Sequence, residues 1–152
     1  MAVAQAQTGK STTGKPLPDP DDHPGSEIVI WDGHCVFCRK QVQRLRAFDL
    51  TCRLSFISLH DQRVLERYPD LTFEQLMDQM WVISPKGGRF GGADAIRYLS
   101  LRMPLLWPAV PLLYFPFAMP LWRAMYRWVA QRRYRIAGKD CEGGSCKLHI
   151  KP

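Results

Sequence analysis

The first 27 residues contain no long apolar run and no arginine. A secretory signal needs an apolar core of about 7–15 residues, and a mitochondrial presequence is rich in arginine. The stretch is rich in Ala, Gln, Thr, Pro and Asp instead, a composition typical of disordered chain. Since neither targeting signal is seen, we predict a disordered N-terminal tail over residues 1–27 and a cytoplasmic protein.

Acidic residues are too few to balance the basic ones. The 152 residues include 21 Lys and Arg against 14 Asp and Glu, which leaves a net charge of +7. This surplus favours partners of negative charge, such as anionic lipid or nucleic acid. The sequence has no zinc-finger, RRM or KH signature, so we predict no nucleic-acid binding. The basic residues Arg132, Arg133 and Arg135 are assigned to a solvated face of the last helix.

Cysteine is scarce, with five residues in the chain, and two of them form the pair Cys35-x-x-Cys38. An apolar run, Ile28 to Trp31, precedes this pair, and helical periodicity follows it. Both thiols should therefore lie at a helix N-terminus, whose unpaired N–H groups and partial positive charge stabilise a thiolate. We predict that Cys35 is an exposed nucleophile and that Cys38, which sits deeper, is the resolving cysteine of a redox-active disulfide.

The residues around the two cysteines are expected to shape this site. Asp32 is predicted to accept backbone N–H groups of the turn, as a helix N-cap does, with proton transfer as its alternative role. Its charge would raise the pKa of a nearby thiol, whereas Arg39, Lys40 and His34 would lower it. Gly33 is expected to adopt a backbone angle that other residues resist, and His34 to face solvent. The predicted catalytic set is Cys35, Cys38 and Asp32, with Gly33 and His34 as site-shaping residues.

The remaining cysteines leave alternatives to this redox pair open. Cys141 and Cys146 could complete a four-thiolate zinc site with the first pair, form a second redox pair, or remain ordinary exposed thiols. Cys35 and Cys38 could also be inert buried cysteines, and Cys52 is expected to be structural. We favour the redox pair, with no metal and no cofactor beyond the disulfide itself, because Cys-x-x-Cys at a helix start suits reversible disulfide formation.

Apolar periodicity divides the middle of the chain into short strands and helices. The second predicted strand is apolar on both faces, which suggests a central position in the sheet. Thr72 and Gln75 match a capping box at the start of a helix. The order of elements predicts an α/β fold, a small mixed sheet with helices on both faces. The predicted strands are 27–31, 53–59, 80–84 and 89–90, and the predicted helices are 35–48, 61–68, one from 72, and 93–101.

Residues 103–122 form an uncharged stretch that contains five prolines. Its length could suggest a membrane span, but closely spaced prolines cannot sustain one continuous helix. We predict an apolar, Pro-rich arm that wraps on the core or guards the site, with shallow membrane contact as the less favoured alternative. A final basic helix then begins at Pro120, and its buried stripe is predicted to be Trp122, Met125 and Val129.

These motifs resemble the DCC family of thiol-disulfide oxidoreductases. The family is named after an Asp and two Cys, which here are Asp32, Cys35 and Cys38. Two further stretches also match it: the hairpin and helix start at residues 84–95, and the aromatic and basic helix at residues 126–135. All three matches occur in the order that the family has them.

The resemblance implies a thioredoxin-like domain over residues 28–137, and the Gly-rich residues 138–152 are expected to form a flexible tail that contains two cysteines. It also implies an activity of the protein-disulfide reductase type. The expected substrate is a disulfide-containing protein or small molecule, and the expected electron donor is a thiol. Unlike thioredoxins, the chain has no proline before its third predicted strand, at residues 78–81.

Overall fold

The computed structural model describes residues 16–137. Residues 1–15 and the predicted tail over 138–152, with Cys141 and Cys146, lie outside the described residues. The strands are β1 (Glu27–Trp31), β2 (Leu54–Ser58), β3 (Trp81–Ile83) and β4 (Arg89–Gly91). The helices are α1 (Val36–Phe48), α2 (Gln62–Arg67), α3 (Phe73–Asp78), α4 (Gly92–Arg102), a 3-10 helix (Pro104–Ala109), α5 (Val110–Leu113) and α6 (Met119–Ala137).

The four strands form one mixed sheet in the order β2-β1-β3-β4. Strand β1 runs parallel to β2 and antiparallel to β3, and β3 pairs with β4 as a hairpin. The parallel register pairs Trp31 with Ser58 at the carboxyl ends of β1 and β2. The predicted fold, a small mixed sheet flanked by helices and thioredoxin-like, is confirmed.

Successive residues of β1 point to opposite faces of the sheet and enter two different cores. Val29 packs with Val42 of α1 and Leu99 of α4 on one face. Ile30 packs on the other face with buried residues of α2 and α3, among them Leu76. Helices therefore cover both faces of the sheet, and the end of β1 emerges between the two layers.

The prediction of a central position for the second strand is wrong, because β2 lies at the edge of the sheet. Its first four residues are nevertheless buried. Part of the predicted N-terminal tail covers this edge: the Phe56 N–H donates to the Pro18 carbonyl (2.8 Å), and Leu17 packs against the core. Arg63 also forms ion pairs with Asp19 and Asp21. A covered edge strand shows the same apolar pattern as a central strand.

The Pro-rich arm packs on the core through only some of its side chains. Met103 is buried, and Leu106 packs against the core beneath α4. Most of its other large apolar side chains are exposed, contrary to the predicted arm wrapped on the core: Leu105, Trp107, Leu112, Phe115, Phe117 and Leu121. None of the helices within residues 16–137 combines the length and the apolarity that crossing a bilayer requires.

Helix α6 closes the fold by packing against α4, α1 and α3. Its contact with α1 and α3 brings its second half to the carboxyl end of β1. Tyr126 anchors the helix there, because its hydroxyl accepts the Met80 N–H (3.1 Å) at the start of β3.

Candidate active site

A tight turn joins β1 to α1 and places Cys35 directly before the first residue of the helix, Val36. The Asp32 carboxylate accepts the His34 N–H (3.0 Å), and the Asp32 carbonyl accepts the Cys35 N–H (3.2 Å). Such Asx-type hydrogen bonds reverse the chain without further secondary structure. The expectation that Asp32 accepts a backbone N–H of this turn is therefore confirmed. Cys35 is the N-cap of α1, and its sulfur accepts the Cys38 N–H (3.2 Å).

The two sulfurs differ in exposure, and in the order opposite to the prediction. Cys35 is fully buried, with 0% of its surface accessible, whereas Cys38 is half-buried. The prediction of an exposed Cys35 is wrong because the N-cap hydrogen bond turns its sulfur back over the first turn of the helix. The first turn does contain both thiols, as the spacing predicted.

The two thiols also differ in acidity. The pKa of Cys35 is lowered to about 7, foremost by a hydrogen bond from the Cys38 thiol and also by the Cys38 N–H and the Arg133 charge. Burial and the Asp32 charge oppose this shift. The pKa of Cys38 is raised, because its thiol donates a hydrogen bond to the Cys35 sulfur and is partly desolvated. The site therefore favours a Cys35 thiolate that accepts a hydrogen bond from the protonated thiol of Cys38.

The cation that faces this pair comes from the far end of the chain. The Arg133 side chain is 8% exposed. Its Nη1 lies 3.9 Å from Cys38 Sγ and its Nη2 lies 4.0 Å from Asp32 Oδ2. Nη2 also donates to the Met77 carbonyl at the end of α3. Of the cations predicted to act here, Lys40 is exposed, and Arg39 donates to the Gly33 carbonyl.

The assignment of Arg133 to a solvated basic face is wrong. The predicted inner stripe of the last helix is wrong at Met125, which is 47% exposed, whereas Trp122 and Val129 lie on the inner face of α6 together with Tyr126 and Arg133. These positions recur at intervals of three and four residues, which is the spacing of one helix face. Extending the stripe from Trp122 through Tyr126 would have found Arg133 from the sequence.

His60 is a second residue that sequence analysis missed. It follows β2, and its Nε2 lies 3.1 Å from Asp32 Oδ1. Its ring packs on the ring of His34 with a centroid distance of 4.1 Å. Because the carboxyl ends of parallel strands meet at one edge of a sheet, residues just after β1 and β2 are neighbours. A parallel pairing of these two strands was the signal that could have found His60.

Gly33 is needed for space and not for its backbone angle. Its φ lies outside the left-handed region, so the predicted reason for a glycine is wrong. A Cβ at this position would lie 2.7 Å from Ser58 Oγ and 3.3 Å from Ser58 Cβ. The glycine therefore lets the turn after β1 approach the end of β2 closely. His34 is exposed, as predicted.

Within residues 16–137, one group of side chains has the spacing of metal ligands. Asp32, His34 and His60 each offer a ligand atom, and these atoms lie within 4.8 Å of one another. The Arg133 guanidinium beside Asp32 adds positive charge, which disfavours a cation there. The predicted zinc alternative needs Cys141 and Cys146, which lie outside the described part of the chain.

Comparison with known proteins agrees with this geometry. The family model for DCC1-like thiol-disulfide oxidoreductases matches residues 29–139, which is most of the chain. No curated protein and no solved structure matches the chain. The match includes the last three residues of β1, both cysteines of the first pair, and all of α6 with Arg133.

Proposed function

This chain belongs to the DCC1-like thiol-disulfide oxidoreductase family, and from that premise we propose that it is a protein-disulfide reductase that acts through Cys35 and Cys38. The observation that carries the proposal is the placement of both thiols at one helix start, with the Cys35 sulfur accepting the Cys38 N–H and the Arg133 guanidinium 3.9 Å from Cys38. In this arrangement the pKa values of the two thiols shift in opposite directions. A reductase of this type needs one sulfur that is ionised near neutral pH and a second that stays protonated until the mixed disulfide has formed.

In the first step, the Cys35 thiolate attacks one sulfur of a substrate disulfide. A bond forms between Cys35 and that sulfur, the substrate S–S bond breaks, and the other substrate sulfur leaves as a thiolate that takes a proton from water. Because Cys35 is fully buried, side chains at the site must move to admit the substrate. We therefore expect alkylation of Cys35 to be slower than its pKa alone would predict.

In the second step, Cys38 attacks the Cys35 sulfur and releases the second substrate thiolate. Cys38 must first lose its proton, and its hydrogen bond to the Cys35 thiolate no longer exists once that sulfur is in the mixed disulfide. The Asp32 carboxylate, with His60 at 3.1 Å, is the base that we assign to this proton. The Arg133 charge at 3.9 Å stabilises the new thiolate of Cys38.

The cycle closes when a donor dithiol, or two donor thiols, reduce the Cys35–Cys38 disulfide. Two electrons then pass from the donor to the substrate through the dithiol. The second substrate thiolate also takes a proton from water, and the protons released by Asp32 and by the donor thiols restore the balance. The cytoplasm, which keeps thiols reduced, supplies donors of this kind and is the compartment that we propose.

The test is alkylation mapping by mass spectrometry across a series of glutathione redox buffers, combined with an assay of protein-disulfide reduction. We expect Cys35 and Cys38 to become oxidised together, and the Cys35→Ser variant to lose activity by about 100-fold or more. The matched control is Cys52→Ser, since Cys52 is exposed and distant in sequence from the pair. Full activity in Cys35→Ser would show that the nucleophile is assigned wrongly.

The same mapping tests the other cysteines. Joint oxidation of Cys141 and Cys146 would support them as a second redox pair. Stoichiometric zinc in protein purified without chelator, lost on mutation of either pair, would favour the metal site over the reductase.

A further inference from the structure

We propose that the exposed apolar side chains of the Pro-rich arm and of α6 seat this protein on an anionic lipid bilayer. We call this set the arm surface. Phe117 is 84% exposed and Leu121 is 69% exposed. So many large apolar side chains exposed within one chain segment indicate an interaction site. Its members are Leu105, Trp107, Leu112, Phe115, Phe117, Leu121, Met125 and Trp128.

The chain segment that contains the arm surface is basic. Between Asp94 and Asp140 the sequence contains no acidic residue. Up to residue 137, where the described part of the chain ends, the exposed basic residues of this segment are all arginines, of which Arg102 pairs with Glu27 and Arg123 pairs with Asp94. Basic side chains beside exposed apolar ones are the combination that binds anionic lipid. The exposed arginines are Arg102, Arg123, Arg127, Arg132 and Arg135.

The outer face of α6 has the pattern of a helix that lies in a membrane interface. Leu121, Met125 and Trp128 follow one another at intervals of four and three residues on the exposed side. The same face continues to Arg132, whose guanidinium lies 4.3 Å from the centroid of the Trp128 ring. Tryptophan rings and arginines locate at the level of lipid headgroups, while aliphatic side chains reach the acyl chains.

The terminal residues 1–15 and 138–152 offer few apolar side chains that could pack against the arm surface. Residues 1–15 and 138–152 are mostly polar or small, and their large aliphatic side chains are few: Met1, Val3, Leu148 and Ile150. A second copy of the chain is also disfavoured, because a symmetric contact would bring two sets of arginines together with no acidic residue from this segment between them. An anionic bilayer neutralises the arginines and solvates the aromatic rings at once.

The test is flotation of the full chain with vesicles of phosphatidylcholine alone or with about 30 mol % phosphatidylglycerol. We expect the bound fraction to be about 10-fold higher on the anionic vesicles and to fall as salt is raised. The Cys35→Ser variant should float like the parent chain, because the arm surface does not include the dithiol. Loss of reductase activity would therefore leave this proposal untouched, and the reverse also holds.

Two pairs of matched variants separate the apolar from the electrostatic contribution. Trp107→Ser with Phe117→Ser should lower the bound fraction about 10-fold, whereas Leu50→Ser with Leu65→Ser, which are also exposed, should leave it unchanged. Similarly, Arg127→Glu with Arg132→Glu should abolish the preference for anionic vesicles. Their control is Arg44→Glu with Arg53→Glu, which changes the net charge equally on other exposed positions.

Equal loss of binding in the two pairs of arginine variants would overturn the proposal, because binding would then depend on net charge alone. The absence of flotation would overturn it too. If the chain instead forms a dimer in solution that Phe117→Ser dissociates, the arm surface is an interface between copies and not a lipid contact. Circular dichroism and reductase activity of the serine variants show that they are folded.

Discussion

The inner and outer faces of helix α6 are both apolar and basic, yet their environments are opposite. On the inner face, Tyr126 accepts the backbone N–H of Met80, the residue before β3, and Arg133 lies against Cys38 and Asp32. On the outer face, Leu121 and Trp128 are more than half exposed. The same residue types thus line the proposed redox site on one side and form the proposed lipid contact on the other.

What differs between the two faces is desolvation. A guanidinium buried beside a thiol acts through a low effective dielectric, so it changes the pKa of that thiol. A guanidinium in water is screened and changes little beyond the local charge. Composition alone therefore does not reveal which arginine of α6 takes part in the chemistry.

The largest effect that tests this comparison is expected for Arg133→Met. Removing the buried charge should raise the pKa of Cys35 by about one unit. At a pH below the pKa, the fraction of Cys35 present as thiolate then falls about 10-fold. The measurement is the pH dependence of the alkylation rate of Cys35 by iodoacetamide.

The matched control is Arg132→Met on the outer face, which should leave the alkylation profile unchanged. Arg133→Met also removes a donor to the Met77 carbonyl, so a loss of stability alone would not identify its role. A shifted pH profile does so, because a purely structural residue would not move it. Identical profiles for the two variants would contradict the assignment of Arg133.

The next effect is a dependence of stability on pH. In the folded, reduced protein the pKa of Cys35 is about 7, below the 9.0 of an ordinary thiol. Between these values the unfolded chain binds more protons than the native state, so stability rises with pH by about 1–3 kcal/mol and is lost as the pH falls through 7. Above pH 9 the raised pKa of Cys38 opposes a further rise.

Urea unfolding of the reduced protein at intervals from pH 6 to 9 measures this dependence. The Cys35→Ser variant should lose the rise, whereas Cys52→Ser should keep it. A rise of equal size in Cys35→Ser would mean that another group titrates in this range.

A smaller effect is expected for Tyr126→Phe, which deprives the Met80 N–H of its hydroxyl acceptor. An amide left without a partner in a part-buried place costs about 1–3 kcal/mol of the free energy of unfolding. Trp128→Phe on the outer face is the control, with an expected change within about 0.5 kcal/mol. Equal losses in the two variants would show that the inner face has no special share in stability.

The smallest effect is expected for Leu121→Gln and Met125→Gln on the outer face. Because these side chains are largely exposed in the folded protein, their replacement should change the free energy of unfolding by less than about 0.5 kcal/mol. Thermal unfolding without lipid measures this. A loss above about 2 kcal/mol would show that the outer face is covered within the protein, and the comparison of faces would fail.

Much of the fold was predictable from the sequence. Strand β1 has the predicted bounds, and α1 begins one residue after the predicted Cys35, which is its N-cap. The capping box of Thr72 and Gln75 is present at α3. These features depend on contacts within a few residues, so the local sequence is enough to specify them.

The candidate site was predictable only in its first turn. Asp32, Gly33 and the two cysteines were located, but the burial of Cys35 and the reason for Gly33 were wrong. The two errors have different causes. Gly33 packs against Ser58 of another strand, which periodicity does not report, and the Cys35 sulfur turns back to accept the Cys38 N–H.

By itself, the sequence determined that two thiols stand at a helix start after an apolar strand, because hydrogen bonds between near neighbours suffice for that arrangement. Only the tertiary structure decided which charges surround them. His60 reaches Asp32 across a separation of 28 residues, and Arg133 reaches Cys38 across 95. Contacts over such distances exist only once strand pairing and helix packing have offset the entropy of closing the chain between them.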